Sequence, residues 1–335
     1  MATALITDVT GLSITTEERA FLRDADPWGF ILFKRNVGTP DQVRALVDAM
    51  REAVGRNAPV LIDQEGGRVQ RLGPPHWPSY PPGAHYGRLF DRDPEEGLAA
   101  ARLGARLIAS DLAALGITVD CLPIADVPLG DADPVIGNRA YGTKASKVAT
   151  IGTAVAQGLM AGGVLPVLKH LPGHGRATVD SHHRLPVVST DRKTLESSDF
   201  AAFQPLAKLP MGMTAHVVFS AIDPVAPATT SVTMVAEVIR GFIGFDGLLM
   251  SDDLSMNALS GTLAERARAT LAAGCDVVLH CNGTLEQRRE VAGVCPPLTG
   301  EGKRRADAAL SSRRKPEPFD VAAAREEFTA MSASA

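Results

Sequence analysis

Residues 164–183 read VLPVLKHLPGHGRATVDSHH, an apolar run that passes directly into a polar, glycine-containing segment. The polar part holds four of the eight histidines of the chain, together with a lysine, an aspartate and an arginine. Burying so many titratable groups is costly unless each is paired, so this mixture is atypical of a core. In α/β enzymes, polar loops at the ends of buried strands carry the chemistry. The stretch therefore predicts a buried strand over Val164–His170 followed by a functional loop.

Short apolar runs of this kind recur along the whole chain. Several are apolar at nearly every position, which is typical of parallel strands that are buried on both faces. Eight strands are predicted, at Ala4–Val9, Gly29–Phe33, Val60–Asp63, Ile117–Leu122, Val164–His170, Gly212–Val217, Gly247–Ser251 and Asp276–His280.

Helical patterns lie between most of these strands. The clearest covers Pro40–Val54, where Thr39 suits the N-cap, Pro40 suits the first helical position and Gly55 suits the end. Further helices are predicted at Thr15–Arg23, Gly97–Leu115, Ala145–Ala161, Leu195–Leu206, Thr233–Ile239, Leu263–Ala273, Lys303–Leu310 and Val321–Met331.

Eight strands that alternate with helices in 335 residues predict an α/β protein, a single-domain (β/α)8 barrel of the TIM type spanning residues 1–335. A doubly wound open sheet is the alternative. That fold usually has a glycine-rich phosphate-binding turn after its first strand, and this chain has none there. We expect no cofactor and no bound metal.

Composition limits the partners and the compartment. A net charge of -4 argues against nucleic acid or an anionic membrane as partner, and no apolar run reaches the length of a membrane span. The N-terminus does not resemble a signal peptide, which predicts a cytoplasmic protein. We therefore expect free, buried thiols at the four cysteines, Cys121, Cys275, Cys281 and Cys295.

Polar side chains recur at one end of nearly every predicted strand, which is the end where barrel enzymes place their active sites. Six such ends together predict a lined pocket. Its carboxylates, cations and amides suit a small ligand rich in hydroxyl groups. The strand-end residues include Asp63, Gln64, Glu65, Asp126, Lys169, His170, Thr214, His216, Ser251, Asp252, Asp253, His280 and Asn282.

Seven segments of the chain occur in a fixed order, and the set in this order identifies a protein family far more specifically than any one segment does. Together they resemble the family 3 glycoside hydrolases, and within that family the bacterial β-N-acetylglucosaminidases. The segments are GFILFKRN at Gly29–Asn36, IDQEGGRVQRL at Ile62–Leu72, VIGNRAYG at Val135–Gly142, KHLPGHG with DSH in Lys169–His182, MTAHV at Met213–Val217, SDDLSM at Ser251–Met256 and GCDVVLHCN at Gly274–Asn282.

The resemblance implies roles for the residues that match the motifs. The first aspartate of SDD, Asp252, is the expected nucleophile, and the DSH segment supplies His182 as acid/base with Asp180 to orient it. A histidine in this role is unusual, because most glycosidases use a carboxylic acid. The expected sugar-binding residues are Asp63, Arg71, Arg139, Lys169 and His170. One departure from the family pattern is His280, which stands where an apolar residue is usual.

The resemblance also implies a retaining exo-β-N-acetylglucosaminidase. Its expected substrate is GlcNAc linked β-1,4 to 1,6-anhydro-N-acetylmuramic acid, with or without peptide, in the recycling of peptidoglycan for cell-wall biogenesis. The expected partner is thus a small saccharide, and we expect a monomer.

Three alternatives stay open at this point. A neutral histidine repels an incoming anion less than a carboxylate does, so phosphate could replace water and make the protein a GlcNAc phosphorylase. A metal-dependent barrel hydrolase would use His170, His174, His182 and His216 with an aspartate, although a paired HxH at the end of the first strand is missing. A sugar-binding module would bind GlcNAc without turnover.

Overall fold

The fold is known from a computed structural model that describes residues 1–130 and 134–333. The predicted domain bounds, 1–335, include residues 131–133 and 334–335, which lie outside the described part. Within that part, eight parallel strands close into a barrel in which each strand pairs with its neighbours along the chain and the first strand pairs with the eighth. The barrel strands are Thr3–Thr7, Pro27–Leu32, Val60–Ile62, Val119–Asp120, Leu165–Leu171, Met211–Thr214, Leu248–Asp253 and Val277–His280.

This closed barrel confirms the predicted (β/α)8 architecture and rules out the open sheet. Each barrel strand overlaps one of the eight predicted strands. The fourth strand is the shortest, since the chain turns where the backbone N–H of Leu122 donates to the carbonyl of Asp120 at 2.8 Å. Pro123 follows and has no N–H with which to continue a strand ladder.

Helices surround the barrel, and three of them, α2, α5 and α7, have the predicted ends. Several others are longer than predicted by one to three residues at an end. The helices are α1 (Thr16–Ala25), α2 (Pro40–Val54), α3 (Gly83–Arg92), α4 (Pro94–Ala113), α5 (Ala145–Ala161), α6 (Arg192–Ser197), a π-helix (Met234–Phe242), α7 (Leu263–Ala273), α8 (Leu285–Ala292), α9 (Gly300–Ser312) and α10 (Val321–Ala333).

The helix predicted over Leu195–Leu206 is wrong. The chain forms the short helix α6 and then two 3-10 turns, Phe200–Ala202 and Gln204–Leu206. Pro205 lies in the second turn, and a proline removes the N–H that a continuous α-helix needs. Helices α3 and α8 were not predicted at all.

The inside of the barrel is filled by apolar side chains. They form one cluster of buried residues that is distinct from the larger cluster between the strands and the helices. The barrel is therefore a packed core, and chemistry is confined to the end where the strands terminate. The interior cluster includes Ile6, Ile31, Leu61, Val119, Val167, Met213, Met250 and Leu279.

A buried ionic cluster joins the two ends of the barrel sequence. Arg288 of α8, which is 2% exposed, donates to Asp8 Oδ1 at 2.7 Å and to Glu18 Oε1 at 3.1 Å. Asp8 follows the first strand and Glu18 lies in α1, and Arg35 also pairs with Asp8. This cluster holds α8 against the first strand and α1.

Two further expectations can be compared with the described residues. The four cysteines are free and buried, as predicted. No helix in the described ranges is long and apolar enough to cross a membrane.

Candidate active site

A cavity of about 280 Å³ opens at the carboxyl ends of the barrel strands. Most small-molecule sites have volumes of about 300–1,000 Å³, so this cavity suits one small unit rather than a polymer. All eight residues predicted for the site line it, although they come from five separate segments of the chain. These residues are Asp63, Arg71, Arg139, Lys169, His170, Asp180, His182 and Asp252.

Lys169 is the centre of an ionic network in the cavity wall. It is 2% exposed, and its Nζ lies 2.9 Å from Asp63 Oδ1 and 2.7 Å from Glu65 Oε1. Burial alone would lower the pKa of the ammonium group, but the two carboxylates hold that pKa above its usual value. Lys169 therefore stays charged and can donate to a ligand.

Two arginines complete the network. Arg71 Nη2 donates to Asp63 Oδ2 at 3.0 Å, and Arg139 donates two hydrogen bonds of 2.8 Å each to the Glu65 carboxylate. Burial opposes the charge on Glu65, yet Arg139 and Lys169 lower the pKa of its carboxyl group to about 2. Glu65 thus fixes both cations, a role that was not predicted although the residue lies at the same strand end as Asp63.

Asp252 ends the seventh strand together with Asp253. Burial disfavours its ionised form, but the nearby rings of His216 and His170 and the backbone N–H of Asp253, at 2.8 Å from Oδ1, hold the pKa of Asp252 below its usual value. The carboxylate is therefore ionised at neutral pH, which is the state a nucleophile needs.

The neighbouring carboxylate, Asp253, is fully engaged with its own surroundings. Its Oδ1 accepts from the backbone N–H groups of Ser255 at 3.0 Å and Cys281 at 3.2 Å. Its Oδ2 accepts from the hydroxyl of Ser255 and from Asn282 Nδ2 at 3.1 Å. These bonds connect the ends of the seventh and eighth strands.

The second part of the predicted chemistry lies on the loop after the fifth strand. His182 Nδ1 is 2.7 Å from Asp180 Oδ1, and the backbone N–H of His182 donates to the same oxygen at 2.9 Å. The His182 side chain is 62% exposed, and within the described ranges its Nε2 has no hydrogen-bond partner. The ring is thus oriented through Nδ1 and free at Nε2, which is the arrangement of a histidine acid/base.

A second histidine–aspartate pair lies beneath this loop. His170 Nδ1 is 2.7 Å from Asp126 Oδ2, and Asp126 Oδ1 accepts from the backbone N–H of His174 at 2.6 Å. Burial, with the nearby His170 ring, lowers the pKa of His174 to about 4, so this side chain is neutral at neutral pH.

Among the histidines considered for a metal site, His216 is bonded at both ring nitrogens. His216 Nδ1 lies 2.7 Å from the hydroxyl of Thr229, and its Nε2 lies 3.0 Å from the carbonyl of Asp253. Among the residues that the structure describes, no group of three or more His, Cys, Asp or Glu side chains is placed to hold a metal ion.

One buried carboxyl group next to the network was missed. Asp120 ends the fourth strand, and its Oδ1 accepts from the backbone N–H of Gln64 at 3.0 Å. Complete burial, with the nearby carboxylates of Asp63 and Glu65, raises the pKa of Asp120 well above its usual value. Its position at a strand end was the available signal, but the resemblance gave it no role.

Comparison with known proteins places this geometry in a family. The model of the glycosyl hydrolase family 3 N-terminal domain matches residues 5–300. The chain belongs to glycosyl hydrolase family 3. It is 41% identical over 284 residues to a beta-hexosaminidase of Alkalilimnicola ehrlichii, an alignment that covers 83% of this chain and 80% of that protein. A beta-hexosaminidase of Chromobacterium violaceum is 37% identical over 297 residues, covering 88% and 82% of the two chains.

Solved structures of family 3 enzymes agree with this assignment. NagZ of Neisseria gonorrhoeae in complex with N-trifluoroacetyl-D-glucosamine superposes with a TM-score of 0.86 at 30% identity, covering 99% of this chain and 96% of that one. A family 3 beta-N-acetylglucosaminidase of a Paenibacillus strain gives a TM-score of 0.86 at 28% identity, over 98% and 67% of the chains. The protein is a glycoside hydrolase of the β-N-acetylhexosaminidase type, and its substrate is a saccharide.

Proposed function

We propose that the protein is a retaining exo-β-N-acetylglucosaminidase that removes the non-reducing terminal GlcNAc from peptidoglycan fragments. The observation that carries this proposal is the presence of an ionised Asp252 and the His182–Asp180 pair in one cavity with the cationic network. In the proposal, residues 1–335 act as a single catalytic domain.

The reaction proceeds in two displacements at the anomeric carbon. Asp252 attacks that carbon as the glycosidic C–O bond breaks, and His182 gives its proton to the departing oxygen. The product of this step is a glycosyl ester on Asp252. His182 then takes a proton from water, whose oxygen attacks the same carbon and releases Asp252. Two inversions return the original β configuration.

The proposed binding residues suit a single sugar ring. Asp63 accepts from hydroxyl groups, while Lys169, Arg71 and Arg139 donate. Their mutual ion pairs hold the network in place before a ligand arrives, which reduces the entropy lost on binding. His170 is held by Asp126 and faces the same cavity.

The proposed substrate is GlcNAc-β-1,4-anhydroMurNAc with or without its peptide, released during cell-wall recycling. Two relatives support the GlcNAc part, since one solved structure holds N-trifluoroacetyl-D-glucosamine and another is called a beta-N-acetylglucosaminidase. The proposal for the second sugar and for recycling derives from the family motifs quoted above.

The central test replaces Asp252 by Asn and measures hydrolysis of an aryl β-GlcNAc glycoside. We expect a loss of about a thousandfold or more in kcat/KM. The control is Asp246→Asn, an exposed carboxylate that pairs with Arg304 on the outside of the barrel. Undiminished turnover by the Asp252 variant would remove the nucleophile assignment.

Substrate and stereochemistry are tested with the wild-type protein. Aryl β-GlcNAc and aryl β-glucoside are compared side by side, and the first-formed product anomer is followed by NMR. The proposal expects a strong preference for β-GlcNAc and an initial β-anomer. An initial α-anomer would contradict the retaining mechanism.

The same experiment in phosphate buffer addresses the second candidate function. His182 is an uncharged side chain when deprotonated, whereas a carboxylate would repel phosphate as it approaches the anomeric carbon. Accumulation of GlcNAc-1-phosphate in place of free GlcNAc would assign a phosphorylase to this site.

A further inference from the structure

Ser181 is the buried residue between the two members of the proposed acid/base pair. It is 3% exposed, whereas the side chains of Asp180 and His182 on either side are 26% and 62% exposed. The loop therefore has a buried side chain between Asp180 and His182, where the placement of the proposed acid/base is set.

The hydroxyl of Ser181 contacts the wall of the barrel through a histidine. Its Oγ lies 3.0 Å from His174 Nε2, and His174 is 4% exposed. The backbone N–H of His174 donates to Asp126 at 2.6 Å, and Asp126 holds His170 at 2.7 Å. The hydroxyl thus connects the loop to the buried pair at the end of the fifth strand.

The backbone of Ser181 contacts the segment that follows the proposed nucleophile. Its carbonyl oxygen accepts from the backbone N–H of Ala258 at 3.2 Å. Ala258 is buried and lies in the turns after the seventh strand, which ends with Asp252 and Asp253. Ser181 therefore bonds both to the segment after the fifth strand and to the turns after the seventh strand. These two segments carry the proposed acid/base and follow the proposed nucleophile, respectively.

Among the residues that the structure describes, Ser181 is the one hydrogen-bond partner of the His174 ring. Within the described ranges, His174 Nδ1 is buried without a hydrogen-bond partner, so removal of the Ser181 hydroxyl leaves both ring nitrogens unpaired. A buried polar group without a hydrogen-bond partner costs free energy. The loop that carries Asp180 and His182 can reduce this cost by moving, so that water reaches the His174 ring.

We propose that Ser181 is a positioning residue that anchors the acid/base loop and sets the place of His182 relative to Asp252. The proposal deepens the function proposed above and rests on it for the role of His182. It predicts that loss of the hydroxyl impairs proton donation while leaving attack by Asp252 nearly intact.

The test is Ser181→Ala with two aryl β-GlcNAc substrates of different leaving group. We expect kcat/KM to fall about tenfold with a poor leaving group such as 4-methoxyphenol, and to stay within about twofold with 2,4-dinitrophenol, which departs without a proton. Ser181→Thr keeps the hydroxyl and should restore the rate. Equal losses on the two substrates would overturn the proposal.

A buried serine elsewhere provides the matched control. Ser231 is 1% exposed, donates to Asp223 and accepts from the backbone N–H of Met234 at 3.0 Å. Ser231→Ala should lower the melting temperature without changing the ratio of the two rates. A changed ratio in this variant would show that the ratio reports general damage.

A double variant tests whether Ser181 acts through His182. In a His182→Ala background, Ser181→Ala should cause no further loss with the poor leaving group, because the residue that it positions is gone. Additive losses in Ser181→Ala/His182→Ala would contradict the proposal.

Hydrogen exchange separates this inference from the proposed function. Backbone amides of residues 177–186 should exchange faster in Ser181→Ala than in the wild type, whatever His182 does chemically. Unchanged exchange would overturn the anchoring role. If the wild type did not hydrolyse β-GlcNAc glycosides, the proposed function would be wrong. Hydrogen exchange would then still test whether Ser181 anchors the loop.

Discussion

Asp252 and Asp253 are consecutive carboxylates whose surroundings give them different tasks. Asp253 accepts from two backbone N–H groups and two side chains, so its oxygens are occupied. Asp252 accepts one backbone bond from Asp253 and lines the cavity. Only Asp252 has an oxygen available for covalent chemistry.

The lowered pKa of Asp252 predicts a particular pH profile. A carboxyl group with a lowered pKa is ionised throughout its usual titration range. It loses its charge only when the pH falls below the lowered pKa. For the 2,4-dinitrophenyl glycoside, which needs no acid, kcat/KM should be level from about pH 5 to pH 8 and fall below about pH 4. An inflection near pH 6 with this substrate would contradict an ionised nucleophile.

Asp180→Asn should weaken acid catalysis. The variant removes the negative charge 2.7 Å from His182 Nδ1, and with it the support for the imidazolium form. We expect kcat/KM with a poor leaving group to fall about a hundredfold, and less with 2,4-dinitrophenol. The control is Asp246→Asn, the same change at an exposed carboxylate outside the cavity, and its rates should stay within about twofold.

The site residues that could be predicted are those that belong to contiguous motifs. Asp180, His182 and Asp252 stand in DSH and SDD, and all three line the cavity. Glu65 also lies in a quoted motif, but the resemblance gave it no role, and its ion pairs are with residues that are distant in sequence. Arg139 is 74 residues from Glu65, and only the folded barrel brings the two together.

At the scale of the element, the eighth strand contains an unfavourable residue. His280 is 0% exposed, and neither ring nitrogen has a hydrogen-bond partner in the described part of the chain; the nearest carboxylate oxygen, Asp253 Oδ1, is 4.0 Å from Nδ1. Burial lowers the pKa of His280, so the folded protein holds it neutral.

His280→Leu should therefore stabilise the protein. Removing two unpaired polar atoms should raise the free energy of unfolding by about 1–2 kcal/mol in urea denaturation. Because the folded pKa is lowered, the wild type loses stability as the pH falls below about 6.5, so the advantage of the variant should be larger at pH 5 than at pH 7.

An exposed histidine provides the comparison for this variant. His76 lies on the surface, and His76→Leu should change stability by less than about 0.5 kcal/mol. A loss of stability in His280→Leu would mean that the ring makes a favourable interaction in the strand.

Apolar periodicity was a reliable signal for helix α2 but was not sufficient everywhere, since the amphipathic helix α3 was missed. Helix α2 buries Val43, Leu46, Val47 and Met50 on one face, and its predicted ends are correct. Helix α8 has few apolar residues and was missed. Its capping box, Thr284 with Gln287, was a usable signal, and its inward face is held by Arg288, whose burial depends on distant carboxylates.

At the scale of the whole molecule, Arg288 connects the beginning and the end of the barrel. Arg288→Met leaves Glu18 and Oδ1 of Asp8 buried without the cation that pairs with them. We expect a loss of about 3–5 kcal/mol in the free energy of unfolding. The adjacent Arg289 is exposed, and Arg289→Met should cost less than about 0.5 kcal/mol. Similar losses in both variants would contradict the role of the cluster.

The architecture was predictable because all eight strands had the same simple signature, a short apolar run. The order of the strands followed from alternation with helices, since such crossovers place consecutive strands side by side. The pairing of the first strand with the eighth is different, because it is set by barrel closure and by the ions of Asp8, Glu18 and Arg288 rather than by any local pattern.

That pairing has a consequence for how the protein is made. Asp8 and Arg288 are 280 residues apart, so the first strand leaves the ribosome long before its partner exists. At about 5–20 residues per second, the nascent chain spends roughly 14–56 seconds with an unpaired strand edge at its N-terminus. Unpaired edges invite association with other chains. The first strand can therefore complete its pairing only when translation of the barrel is almost finished.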